Sequence, residues 1–227
     1  MNDTPLSQRL REYWFAGTLG DPSKIPGRIP FWFARDPARD EEMQRLWSNE
    51  VAAAAAGRLD RMGETPTGRL ALILLLDQLP RNIYRGSPQA FARDGRARYL
   101  MRDGMAHLMD LALSPIERCF FYMPLQHSEF LEDQESGVAR FNHLVSEVSR
   151  EERETFQRFA RYAQQHLEVI ARFGRFPHRN AILGRLSTRD EEAYLAGNVP
   201  AFSQGTLSEG SPLPDPLPVS LRQASEG

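Results

Sequence analysis

Apolar residues along this chain recur at intervals of three and four, the spacing that lines one face of an α-helix. "DEEMQRLWSNEVAAAAAG" places Met43, Leu46, Trp47, Val51 and Ala54 on one face. It opens on acids at the positive helix end and stops at Gly57. "SREERETFQRFARYAQQHLEVIARFG" does the same with Phe156, Phe159, Tyr162, Ala163, Leu167 and Ile170, and closes at Gly174. In "TPTGRLALILLLDQ" the apolar positions are nearly continuous, which predicts a central helix buried on all sides. Further helices are predicted over "PLSQRLREYWFAG", with Ser7 as cap, and over "SPQAFARDGRARYLMRDGMAHLMDLAL", with Ser87 capping and Pro88 in the first helical position. "SPIERCFFYM" carries Ser114 and Glu117 at capping-box spacing. "SEFLEDQESGVARFNHLVSEV" has Ser128 as its cap, and "STRDEEAYLAG" has Ser187 or Thr188. "TLGDPSKIPGRIP", rich in Gly and Pro, reads as a loop. β-Branched residues are sparse and strict alternation is absent, so no strand is predicted. The expectation is an all-α fold in a single compact domain over residues 1–199.

From Pro200 the pattern changes. "PAFSQGTLSEGSPLPDPLPVSLRQASEG" is dominated by Pro, Ser and Gly, and residues 200–227 read as a disordered tail.

Composition narrows the chemistry. The net charge of -2 gives no global pull toward nucleic acid or an anionic membrane. Of 28 basic residues only Lys24 is a lysine, so no phosphate loop ending in Gly-Lys can form. Any anion is gripped by arginine, which suits bidentate contact with carboxylate or phosphate. The lone Cys119 excludes an intrachain disulfide and a cysteine-based zinc site, and its apolar helix marks it as core. The apolar run Leu70–Leu76 is too short to span a bilayer, and "MNDTPLSQRLREYW" lacks the apolar core of a signal peptide, so a cytoplasmic location is expected. There is no His-Glu-x-x-His, nucleophile elbow or dinucleotide fingerprint. No cofactor or metal is expected.

Polar chemistry concentrates at three proline-containing junctions. Pro80 cannot donate to Leu76 and pushes Leu79 out of the α region, so the central helix is predicted to end or kink at Gln78 or Leu79. Asp77 then lies near the negative helix end and calls for an arginine: Arg81 lies four residues on, and Arg69, Arg85 or a distant arginine could serve instead. "FFYMPLQHSEF" is predicted to end its helix before Pro124, and Pro177 follows a helix already stopped at Gly174. The first packet holds Asp77, Gln78, Arg81, Asn82 and Arg85. The second holds Gln126, His127, Ser128 and Glu129, and the third Arg175, His178, Arg179 and Asn180. In an antiparallel helical array these ends can share one rim, and convergence of the three is the central expectation. Arg81 and Arg179 are then the anchors for a small anion, with Asp77, Gln78, Asn82, Arg85, Arg175 and Asn180 around it. His127 supported by Glu129, together with His178, supplies acid/base candidates. Tyr84, Phe121, Tyr122, Phe173 and Phe176 are candidate walls. Purely structural roles compete at every one of these positions, since Asn residues close turns and arginines satisfy helix carbonyls.

The segments "LALILLLDQLPRNIYRGSPQAFARD", "ERCFFYMPLQHSE" and "RFGRFPHRNAILGR", with "YWFAG" and "WFARD", resemble the bacterial domain-of-unknown-function family numbered nine hundred and twenty-four, over roughly residues 8 to 197. The resemblance implies a TPR-like array of antiparallel helical hairpins and carries no established activity. Its hallmark segments are the polar junctions themselves, and loop residues of this kind favour function over packing. The reading is binding of a small carboxylate or phosphate; the alternative is a TPR-like adaptor that binds a protein segment.

Overall fold

An apolar run with no polar face is stable only when covered on every side. The computed structural model describes residues 4–197 and supplies that cover: every residue from Leu70 to Leu76 is at most 2% exposed. The run belongs to α4 (Pro66–Ile73), a π-helical segment (Leu74–Gln78) and α5 (Leu79–Ile83), which follow one another directly. Helix α1 (Leu6–Phe15) packs on α4, and α3 (Pro37–Ala55) packs on the π segment and α5. On another side α6 (Asp94–Ala106) and α7 (Pro115–His127) pack on α4, on the π segment and on each other. The long pair α8 (Leu131–Glu147) and α9 (Arg153–Phe173) forms a helical hairpin that lies against α7. The described chain closes with a 3₁₀ turn (Pro177–Arg179) and α10 (Arg189–Ala196). All regular structure among the described residues is helical, and none of these helices is long and apolar enough to cross a membrane. The tail expected from Pro200 lies outside the described residues.

Aromatic packing holds the main core. Phe120 of α7 meets Trp14, Phe15, Trp32 and Phe33 with ring centroids 4.8–6.1 Å apart. Such rings contribute beyond the area they bury, by about 0.5–1.5 kcal/mol per pair. Trp32 and Phe33 come from α2 (Ile25–Phe33), a helix where the Gly- and Pro-rich sequence reads as a loop. Pro26 occupies its first turn, where a missing N–H costs nothing, and burial of Ile25 and Trp32 holds the rest. A second, smaller core gathers Val169, Ile170, Phe176 and Tyr194.

Pro80 is expected to end or kink one helix and Pro124 to end another, and both helices continue. Leu79 keeps α geometry (φ -59°, ψ -39°), and the helix passes through Pro80 to Ile83. The ladder accommodates Pro80 by slipping into π register, with the Leu79 N–H donating to Leu74 O, before α register resumes at Tyr84 N–H to Pro80 O. Helix α7 likewise carries Pro124 inside its last turn and ends at His127. Its terminal carbonyls are met by Gln134, whose Nε2 lies 3.1, 2.8 and 2.6 Å from the carbonyl oxygens of Leu125, Gln126 and Ser128. The third helix does stop at Gly174, in the left-handed region at φ 68°.

Several caps also differ from expectation. Pro5, not Ser7, precedes α1, and Phe130, not Ser128, precedes α8. Ser128 instead donates to buried Asp133. The stretch after Ser87 divides into a 3₁₀ turn (Pro88–Ala90), α6 and a second 3₁₀ turn (Met109–Ala112). The capping box at Ser114 and Glu117 and the cap at Thr188 form as expected.

Candidate functional site

The three junctions meet. Asp77, in the π segment, is fully buried and lies 2.8 and 2.9 Å through its two carboxylate oxygens from Nδ1 of His127, at the last residue of α7. Arg81, one turn after Asp77, contacts Asp77 Oδ1 at 3.1 Å and also donates to the Asp77 carbonyl. Its two Nη atoms donate to the two oxygens of Asp94, at 3.0 and 2.8 Å. Asp94 is the first residue of α6 and also faces Arg179, whose Nη1 lies 3.5 Å from Oδ2. The second and third junctions are tied by Glu129, which accepts from the Phe176 N–H at 2.8 Å and from Arg185 at 2.7 and 3.0 Å.

Arg179 is the least satisfied cation of this group. It is 6% exposed, its Nε is buried without an acceptor, and its one hydrogen bond from the described residues is the long contact to Asp94. The rings of Phe91 and Phe176 lie 4.8 and 4.5 Å from its guanidinium carbon. The cluster reaches solvent through the side chains of His127 (16% exposed) and Asp94 (20%).

Electrostatics sort the titrating groups. Burial alone would raise the carboxyl of Asp77, but Arg81 and His127 outweigh it and hold Asp77 ionised, below the usual carboxylate range. An ionised carboxylate only accepts, so His127 Nδ1 carries the proton and Nε2 holds the lone pair. Burial, then the charge of Arg81, keeps that imidazole neutral against the pull of Asp77. His178 is pushed down to about 3, first by burial and then by Arg179 and Arg81. Burial also lowers Arg179 to about 10, with Arg81 adding to the effect and Asp94, Glu129 and Asp77 opposing it.

Other expected site residues hold the protein to itself. Asn82 donates to Asp40 Oδ1 at 2.9 Å, and Arg85 grips the same carboxylate, which fixes the first turn of α3. Arg175 is paired with Glu191 of α10, and Asn180 donates to Ser187 at 3.1 Å. Gln78 donates to Asp77 Oδ2 at 2.6 Å. Glu129 does not support His127; that partner is Asp77, because the continuing α7 carries His127 toward the π segment while Glu129 turns to Arg185. Among the expected walls only Phe176 flanks a site arginine; Phe121 and Tyr122 are fully buried core, Tyr84 packs at the edge of that core and Phe173 packs on Tyr194. No group of three or more His, Cys, Asp or Glu among the described residues could hold a metal.

Four members of the cluster lay outside the predicted packets, among them Arg185, which grips Glu129. Asp94 bridges both arginines, and Phe91 flanks Arg179; both lie in "FARD", which reads simply as helix. His166 is buried on α9, packs on Phe176 at 5.6 Å and is held well below its ordinary value by burial, with His127, His178 and Arg179 adding to that effect. Its signal was a histidine three residues after Ala163 and four before Ile170, on an apolar face.

Fold and site together define an all-α protein with a buried polar cluster where the π segment, the end of α7 and the 3₁₀ turn after α9 meet. The chain belongs to the family described as "Bacterial protein of unknown function (DUF924)", whose model matches residues 10–198 and so includes every residue of the cluster. A solved structure of a protein of unknown function from Agrobacterium tumefaciens is similar at 32% identity and a TM-score of 0.70, covering 84% of this chain and 97% of that one. No curated protein matches the chain.

Proposed function

We propose that this protein binds a small anionic molecule at Arg179, beside the Asp77–His127 pair. The observation that carries the reading is the under-satisfied Arg179 guanidinium, buried to 6% exposure with an Nε that has no acceptor. A buried donor without a partner costs about 1–3 kcal/mol, more when charged, and a bound anion relieves that cost. Arg81 serves as a positioning residue, since its fork already holds Asp94 and Asp77. The Asp77–His127 pair adds a base: Asp77 fixes the tautomer and His127 Nε2 takes a proton from a group bound next to it.

A thermal-shift screen of small carboxylates and phosphates tests the reading. Stabilisation that grows with concentration is expected for the wild-type protein and is expected to vanish in folded Arg179→Gln. Equal stabilisation of both proteins counts against the site.

A further inference from the structure

Two arginines of the chain hold a carboxylate side-on, whereas Arg81 and Arg185 hold theirs end-on through both Nη atoms. Arg85 presents Nε and Nη2 to the two oxygens of Asp40, at 2.6 and 2.9 Å. Arg175 presents the same two atoms to the two oxygens of Glu191, at 2.7 and 2.8 Å. Both are side-on forks, with two parallel bonds in the plane of the guanidinium. Arg179 has the same edge, yet neither its Nε nor its Nη2 has an acceptor among the described residues; its single bond leaves from Nη1. Aromatic rings at 4.8 and 4.5 Å crowd the guanidinium, so a partner approaches in its plane. Charge sets a second limit. Asp77, Asp94 and Glu129 all act on Arg179, and Arg81 and Arg185 are already engaged with them. Three carboxylates and three guanidiniums balance, with the histidines neutral. A single negative charge disturbs that balance least, whereas a dianion, the main form of phosphate above neutral pH, adds repulsion from the three acids that act on Arg179.

From the side-on edge of Arg179 and the local charge balance, we infer that the anion bound here is a monocarboxylate, held as a planar two-bond fork, and not a phosphate. The inference rests on the anion-binding reading given above and narrows it. Such a ligand completes at Arg179 the fork that Asp40 and Glu191 complete at Arg85 and Arg175.

Thermal shift and calorimetry with butyrate, benzoate and inorganic phosphate, at constant ionic strength set with chloride, provide the test. Butyrate or benzoate is expected to raise the unfolding midpoint with concentration, and phosphate is expected to leave it unchanged. Arg179→Lys keeps the charge but loses the fork, so monocarboxylate affinity should fall at least about tenfold. Because a buried Lys can unfold the protein, the wild type supplies a second readout. In NMR spectra of labelled wild-type protein, benzoate should shift one buried arginine Nε–H resonance and phosphate should not. Phosphate binding as tight as that of the monocarboxylates overturns this inference and leaves the anion site standing. Absence of stabilisation by every anion, with no Nε–H shift, overturns both.

Discussion

Residue chemistry at the cluster is set by burial. His127, His166 and His178 are each held below the ordinary histidine value, with desolvation the largest cause in every case. The folded chain therefore keeps them neutral where the unfolded chain, near pH 6.5, protonates them. The unfolded state binds more protons in that window, so stability rises with pH through it and is lost as pH falls. Chemical denaturation between pH 7 and pH 5 is expected to show unfolding free energy dropping on the order of 1 kcal/mol per pH unit for each histidine that stays neutral in the fold. Asp77 and Glu129, held low by their cationic partners, act with the same sign at lower pH. A flat profile from pH 7 to pH 5 would contradict the neutral assignment of all three rings. Cys119 takes no part in this chemistry, because burial raises its thiol well above the ordinary value.

Elements approach the central helix closely enough that single atoms decide their packing. A Cβ on Gly68 would lie 1.9 Å from the Met62 carbonyl oxygen, a backbone atom that cannot swing aside. A Cβ on Gly104 would meet Arg69 Cδ and Phe121 Cζ, each at 2.6 Å. Gly68 thus lets the 3₁₀ turn Asp60–Glu64 sit on the first turn of α4, and Gly104 lets α6 close onto α4 and α7. Gly68→Ala is expected to destabilise by at least about 3 kcal/mol in urea unfolding, the upper range for overpacking, because backbone must move. Gly104→Ala meets only side-chain atoms and should cost less. Equal losses would mean that the Met62 carbonyl is not the rigid wall described here. The π segment belongs to this scale too. It lets one helix carry Pro80 and still bring Asp77 and Arg81 into contact four residues apart.

Across the whole molecule, stability is unevenly distributed. The main core runs from Leu10 to Ala163, whereas the C-terminal core has four buried members and Phe173 beside them. The C-terminal region is held to the rest by Phe176 and Tyr194 packing on Val169 and Ile170 of α9, and by polar links through Glu129 to Arg185 and Phe176 and through Asp94 to Arg179. Regions with little buried apolar area open first. Hydrogen exchange is expected to show α10 exchanging at least about tenfold faster than α4 and α7, with a monocarboxylate narrowing the gap. Comparable protection in all three helices would show that the molecule opens as one unit. Arg179 stands where the C-terminal region meets the main core.

Local spacing was enough to determine the all-α class, the buried central helix, the apolar face of α9, the capping box at Ser114 and the stop at Gly174. Each depends on contacts within a few residues, which the order of residues encodes directly. The junctions were legible as concentrations of polar chemistry, and so was the need of Asp77 for an arginine; that Arg81 meets it, and not Arg69 or Arg85, was settled by the fold. Which residue answers which was decided by tertiary structure. Pro80 and Pro124 carry a local signal to stop that burial of the surrounding helix overrides. His127 found Asp77, fifty positions away, in place of Glu129 two positions on. Arg85 and Arg175 found acids in α3 and α10, while Arg179 came to rest against two aromatic rings with one edge unmatched among the described residues. A residue's type states what it can bind; only the packing of distant segments states what remains for it to bind.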